Sequence, residues 1–110
     1  MLHLIEQHCS PDGLLTLQVG REDDGDVCIG FGGYSWHTHD TILASLSGLG
    51  EDQAVRQFVD DLLAGRAIIA VARVCGEIRD VWIADEPTPD KYKPHDETIE
   101  FRYWDGQLVD

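Results

Sequence analysis

Glu51-Asp52-Gln53-Ala54-Val55-Arg56-Gln57-Phe58-Val59-Asp60-Asp61-Leu62-Leu63-Ala64-Gly65 is the stretch that decides the fold class. Its apolar residues, Ala54, Val55, Phe58, Val59, Leu62 and Leu63, recur at i, i+3, i+4 and i+7, the stripe of an amphipathic helix. Glu51 and Asp52 suit the positive helix end, and Gly65 is the residue type expected just past the last turn. The spacing predicts a helix from Glu51 to Ala64. Arg56 stands four residues from both Asp52 and Asp60, so part of the polar face should pair with itself for about 0.3 kcal/mol per pair. The apolar stripe needs a surface to cover, and the residues on either side of it read as strands.

Downstream, Ala67 to Val74 sets Ile68, Ala70, Ala72 and Val74 against Ile69, Val71 and Arg73. Apolar on both faces, it reads as a central strand covered on one side by the helix. Cys75-Gly76 turns the chain into Glu77 to Ala84, where neither face is cleanly polar. Asp85 to Glu97 holds three of the four prolines and has the length of a binding or mobile surface loop. Thr98 to Trp104 resumes alternation with Ile99, Phe101 and Tyr103 expected inward, and Asp105-Gly106 signals a two-residue hairpin before Gln107-Leu108-Val109.

Upstream, a short run around Leu2 and Leu4 ends at the turn Ser10-Pro11-Asp12-Gly13. Leu15, Leu17 and Val19 then alternate with Leu14, Thr16 and Gln18, a strand with one core face. The acidic segment Arg21-Glu22-Asp23-Asp24-Gly25-Asp26 reads as a hairpin loop leading into Val27 to Phe31. After a bend at Gly32-Gly33, Tyr34 to His39 is expected to continue as strand. Asp40 is the expected N-cap of a short helical piece in which Ile42, Leu43 and Leu46 recur, stopped by Ser47-Gly48-Leu49-Gly50. The expectation is an α+β fold over residues 1–110 as a single domain. It has a single, mostly antiparallel sheet of about six strands with one principal helix packed on it.

The 110 residues include 21 acids and 8 Lys plus Arg, a formal charge of −13. A field of that sign repels phosphate backbones and anionic lipid and favours basic proteins, so neither nucleic acid nor a membrane is an expected partner. The charge is uneven: residues 1–55 carry nine acids against Arg21 alone. The longest mainly apolar run, Ala67 to Ala72, is far short of the roughly 20 residues that span a bilayer. With no basic and apolar leader at Met1 to Gln7, a soluble cytoplasmic protein is expected. Cys9, Cys28 and Cys75 are odd in number and widely spaced, which argues against a disulfide scaffold and for buried, reduced thiols.

His37-Thr38-His39-Asp40 is the one cluster with metal-ligand character. His37 and His39 would project from the same face of a strand, with Asp40, His3, His8 or His95 to complete a site, and this supports an alternative reading as a metal-binding enzyme or sensor. No cofactor is expected on the leading reading. The acid doublets Asp23-Asp24, Asp60-Asp61, Asp85-Glu86 and Asp96-Glu97 diverge on a helix or strand and make no acid/base pair. No serine lies in a G-x-S-x-G context, and the only adjacent Cys and His are His8-Cys9, so no nucleophile signature is present and no enzyme is expected. Trp82, Tyr103, Phe31 and Phe58 are assigned to the core. Trp36, Trp104, Tyr34 and Tyr92 fall where strands meet loops, as interface aromatics do.

The arrangement as a whole resembles the small acidic immunity proteins of bacterial polymorphic and contact-dependent growth-inhibition toxin systems. The resemblance rests on Ser10-Pro11-Asp12-Gly13 before Leu14 to Leu17, Val27 to Phe31 running into Trp36 to His39, and the acidic helix with the strand pair after it. It implies a non-catalytic α+β inhibitor whose partner is a basic protein, a cognate toxin domain and in many cases a nuclease. The contact residues expected are Glu22, Asp23, Asp24, Asp26, Trp36, Asp60 and Asp61. A homodimer through an edge strand at Leu108-Val109 is a further expectation.

Overall fold

In the computed structural model, residues 2–84 and 97–109 are described. The chain runs β1 (His3–Cys9), β2 (Thr16–Arg21), β3 (Val27–Phe31), β4 (His37–His39), α1 (Asp40–Ser47), α2 (Glu51–Leu63), β5 (Ile68–Val74), β6 (Glu77–Ala84) and β7 (Glu97–Arg102). The expectation for the proline-rich stretch, and with it Tyr92 and His95, lies outside the described residues. The fold is α+β, mostly antiparallel sheet with α2 packed on it, and the strands divide into two sheets. The first has the order β1-β2-β3-β4 and the second β6-β5-β7. Among the described residues, seven strands in two sheets replace the expected single sheet of about six, because the helices separate the two runs and no strand pairing crosses between them.

One buried cluster joins the two sheets. Leu17, Val19 and Ile29 of the first meet Val59 and Leu62 of α2 and Ile69, Val71 and Val81 of the second. Full burial of each such side chain is worth roughly 2 kcal/mol. Helix α2 ends where its sequence signals: Gly65 takes φ 79°, its N–H donates to the Leu62 carbonyl, and the Arg66 N–H donates to Asp61. These two bonds satisfy carbonyls that the last helical turn leaves open. Central strand β5 is buried continuously from Ile69 to Ala72, which accounts for its apolar character on both faces.

Several local expectations change. Gly32-Gly33 does not bend a continuing strand; the chain reverses there in a turn closed by the Tyr34 N–H on the Phe31 carbonyl, strand resumes only at His37, and β4 pairs back on β3 with Cys28 opposite His39 and Gly30 opposite His37. The N-cap of α1 is His39, and Asp40 is the first helical residue, its carboxylate accepting the Thr41 N–H at 2.8 Å. Only Leu43 of α1 packs toward the core, while Ile42 and Leu46 face water, Leu46 with 81% of its surface exposed. Cys9 and Cys75 are exposed and Cys28 half-buried, all three reduced, so the expected burial of the thiols does not hold. Each lies near a turn or on an outward strand position rather than on a core face. Leu108 is exposed and pairs with Arg102 through a single bridge, and the Val109 N–H donates to Phe101. No helix among the described residues is long and apolar enough to cross a membrane.

The largest reversal is in β7. Ile99, Phe101 and Tyr103 are half-buried on one face, and the residue turned into the core side is Arg102, 2% exposed. Its guanidinium donates to Asp12 Oδ2 at 2.7 Å and Oδ1 at 3.3 Å, and to the carbonyls of Tyr103 and Trp104. Ser10 donates to the same carboxylate at 2.6 Å and accepts the Leu15 N–H. The Arg102 guanidinium, then Ser10, hold the Asp12 carboxyl well below the usual carboxylate range. This pair ties the β1–β2 turn of one sheet to the last strand of the other, and it draws Trp104 inside at 5% exposure instead of leaving it at the surface. Trp82 and Tyr103, assigned to the core, are half-buried outside the main cluster.

Candidate functional site

The four-stranded sheet has a core face and an outer face. Alternation sends Leu15, Leu17 and Val19 inward, so Gln18 and Gly20 follow outward from β2, with Cys28 and Gly30 from β3 and His37 and His39 from β4. Two of these outward positions are glycine, which keeps the face low in the middle. At Gly20 a Cβ would meet the Leu2 side chain at 2.7 Å, because Leu2 folds over it. At Gly30 a Cβ would sit 2.8 Å from the Trp36 carbonyl, so the absence of a side chain lets the β3–β4 turn close tightly.

The result is a groove of about 250 Å³. Cys28 and Gly30 line it from the sheet, Tyr34, Trp36 and His37 from the β3–β4 turn, and Glu22 from the β2–β3 turn. Trp36 leans on Phe31 with ring centroids 6.0 Å apart and planes tilted by 37°. His37 Nδ1 lies 3.0 Å from the Ser35 carbonyl. A carbonyl only accepts, so His37 carries its proton on Nδ1.

Cys28 and His39 are brought together by strand register alone, Sγ to Nδ1 3.3 Å. Burial first, then the carboxylates of Glu22, Asp26, Asp40 and Asp24, push the thiol above its ordinary value. The thiol donates to Glu22 Oε1 at 4.0 Å, and a thiol with a raised pKa is a weaker nucleophile than a thiolate. The rings of His37 and His39 stand edge to face, centroids 5.0 Å apart, as expected for residues two apart on a strand. Among the described residues, no three His, Cys, Asp or Glu side chains gather in a way that could hold a metal ion.

Of the seven expected contact residues, Glu22 and Trp36 share the groove. Asp23, Asp24 and Asp26 stand in the same hairpin loop, where Asp23 Oδ1 lies 3.0 Å from His3 Nε2 and Asp24 Oδ1 accepts the Asp26 N–H. Asp60 and Asp61 are elsewhere, on α2, which packs against the opposite face of the sheet. Asp60 pairs with Arg56 at 3.1 Å, and Asp61 is held by Gln57 at 2.9 Å and Arg66 at 3.1 Å. Arg56 takes Glu6, fifty positions away, in place of the expected Asp52.

No family model, curated protein or solved structure matches the chain.

Other walls of the groove, Leu2, Gln18, Cys28 and Gly30 among them, were not among the expected contact residues. The signal that finds them is the pair Gly32-Gly33 read as a hairpin turn, which fixes Cys28 opposite His39 and exposes the glycine pattern of the outer face.

Proposed function

We propose that this chain is a non-catalytic, acidic binding protein that neutralises a co-encoded toxin by covering a basic surface of it, as the resemblance to bacterial immunity proteins implies. The observation that carries the proposal is the outer face of the four-stranded sheet. An acidic hairpin stands beside an aromatic-lined groove, and no Arg or Lys among the described residues lines that groove. Such a face complements a cationic protein, with aromatics for contact area and acids for steering. The raised pKa of the Cys28 thiol, from burial and the carboxylates around it, supports a binding role over nucleophilic catalysis. Three reduced thiols fit a cytoplasmic setting.

The test is capture. Purified chain should bind the product of an adjacent toxin gene, with association slowing steeply as salt shortens the Debye length to about 10 Å near 0.1 M. If no basic partner is retained even at low salt, and the neighbouring gene's product does not bind, the proposal fails.

A further inference from the structure

The carboxylates of the described residues differ in how they are answered. Glu6 and Asp60 have Arg56, Asp12 has Arg102, Asp61 has Arg66 and Glu100 has Arg73. Glu22 is half-buried, and its side chain makes no ion pair among the described residues; its one contact is the Cys28 thiol, 4.0 Å from Oε1. Among the described residues Asp26, Asp40 and Asp80 also make no ion pair, and Glu22 is the one of these that lines the groove, where it can receive a charge that comes from outside.

The groove determines what kind of charge fits. Trp36 and Tyr34 line it together with Glu22, so a cation entering there meets aromatic side chains as well as an acid. A planar guanidinium stacks on such rings while its N–H fork reaches a carboxylate, and its three-carbon stem lies along apolar surface; an ammonium does the first poorly. The space, about 250 Å³, suits one long side chain rather than a helix or a strand. We infer that the groove between Glu22 and Trp36 is a receptor for a single arginine side chain projecting from the partner. The inference rests on the proposed role as a binder of a basic protein and specifies which contact anchors it. The potential in the groove agrees in sign, because four surrounding carboxylates disfavour a negative charge on Cys28.

The experiment uses the full chain, labelled with 15N, and a blocked tripeptide with central arginine, compared with its citrulline and lysine counterparts. The indole N–H of Trp36 is assigned from the Trp36→Phe spectrum. The arginine peptide should shift that indole and the amides of Cys28 and Gly30, with the indoles of Trp82 and Trp104 unmoved. Citrulline, isosteric but neutral, should bind about tenfold more weakly, since a hydrogen bond to a charged partner is worth roughly 1.5 kcal/mol or more. Glu22→Gln should abolish the preference for arginine over citrulline. Trp36→Leu, which keeps apolar bulk and removes the π face, should weaken both peptides. Equal shifts from arginine and citrulline, shifts that map to Asp60 and Asp61, or no shift at peptide concentrations of about 20 mM would each overturn the inference. A basic protein captured with undiminished affinity by Glu22→Gln would also overturn it while leaving the proposed function standing. An arginine-selective response without any captured protein would support the groove as an arginine receptor and overturn the toxin reading instead.

Discussion

Strand β2 carries a hairpin turn at each end, and each turn holds a half-sheltered carboxylate with a different fate. At the β1–β2 turn, Asp12 accepts two hydrogen bonds from a guanidinium that arrives from β7, ninety positions away, and the result is a clamp between sheets. At the β2–β3 turn, Glu22 lines an aromatic-bearing groove and has no such cation among the described residues. The same chemical group thus serves as an internal fastener in one turn and as an open acceptor in the other. What differs is not the acid but whether the fold delivers an arginine to it.

The sharpest way to break the comparison is to remove one partner at each site. Arg102→Ala leaves Asp12 and the Tyr103 and Trp104 carbonyls without their donor and opens space in the core, and should lower stability by about 3 kcal/mol. Asp12 is partly exposed to water, so Asp12→Asn should cost less, about 1 kcal/mol. Glu22→Gln should stay within about 0.5 kcal/mol of the parent. Urea unfolding of the three variants measures this, and a Glu22→Gln loss as large as that of Asp12→Asn would erase the distinction.

Gly30→Ala comes next. Its Cβ would lie 2.8 Å from the Trp36 carbonyl, a backbone atom that cannot swing aside, so the β3–β4 turn must shift. A stability loss of about 1 to 2 kcal/mol is expected, together with loss of the Trp36 indole response to arginine. A variant of parental stability with an unchanged Trp36 signal would show that the close approach does not shape the groove.

Acid provides a third, smaller test. Asp12 has its pKa lowered on folding, by Arg102 first and then Ser10. A depressed carboxylate adds stability in full above its unfolded value near 4 and loses it as pH falls through the folded value. The stability difference between parent and Asp12→Asn, about 1 kcal/mol, should hold constant between about pH 5 and pH 8 and shrink below about pH 4. A difference that grows on acidification would contradict the assigned sign.

The smallest effect concerns Cys28. Burial, then Glu22, raise its pKa, so alkylation by iodoacetamide near neutral pH should label the exposed Cys9 and Cys75 first, as site-resolved mass spectrometry would show. Glu22→Gln should speed Cys28 labelling by less than about tenfold. Labelling of Cys28 ahead of the other two would mean that His39 activates the thiol, and would reopen a catalytic reading of the face.

Much of this architecture is legible in residues close together in the chain. The apolar stripe of α2, the Gly65 stop, the all-apolar β5 and the acidic hairpin at Glu22 to Asp26 each follow from a period of 3.6 or 2 or from turn chemistry acting over a few positions. They determine the α+β class and place acids and aromatics in the first half of the chain. The tertiary structure alone decided the division into two sheets, the inward turn of Arg102, the meeting of Cys28 with His39, and the place of Glu22 in the groove. Each of these depends on which distant backbone a strand pairs with, and a one-residue change of register sends every side chain to the other face. An isolated arginine at position 102 reads as surface until Asp12 is seen beside it, and an acid at position 22 reads as one of many until the strand register sets it against the groove.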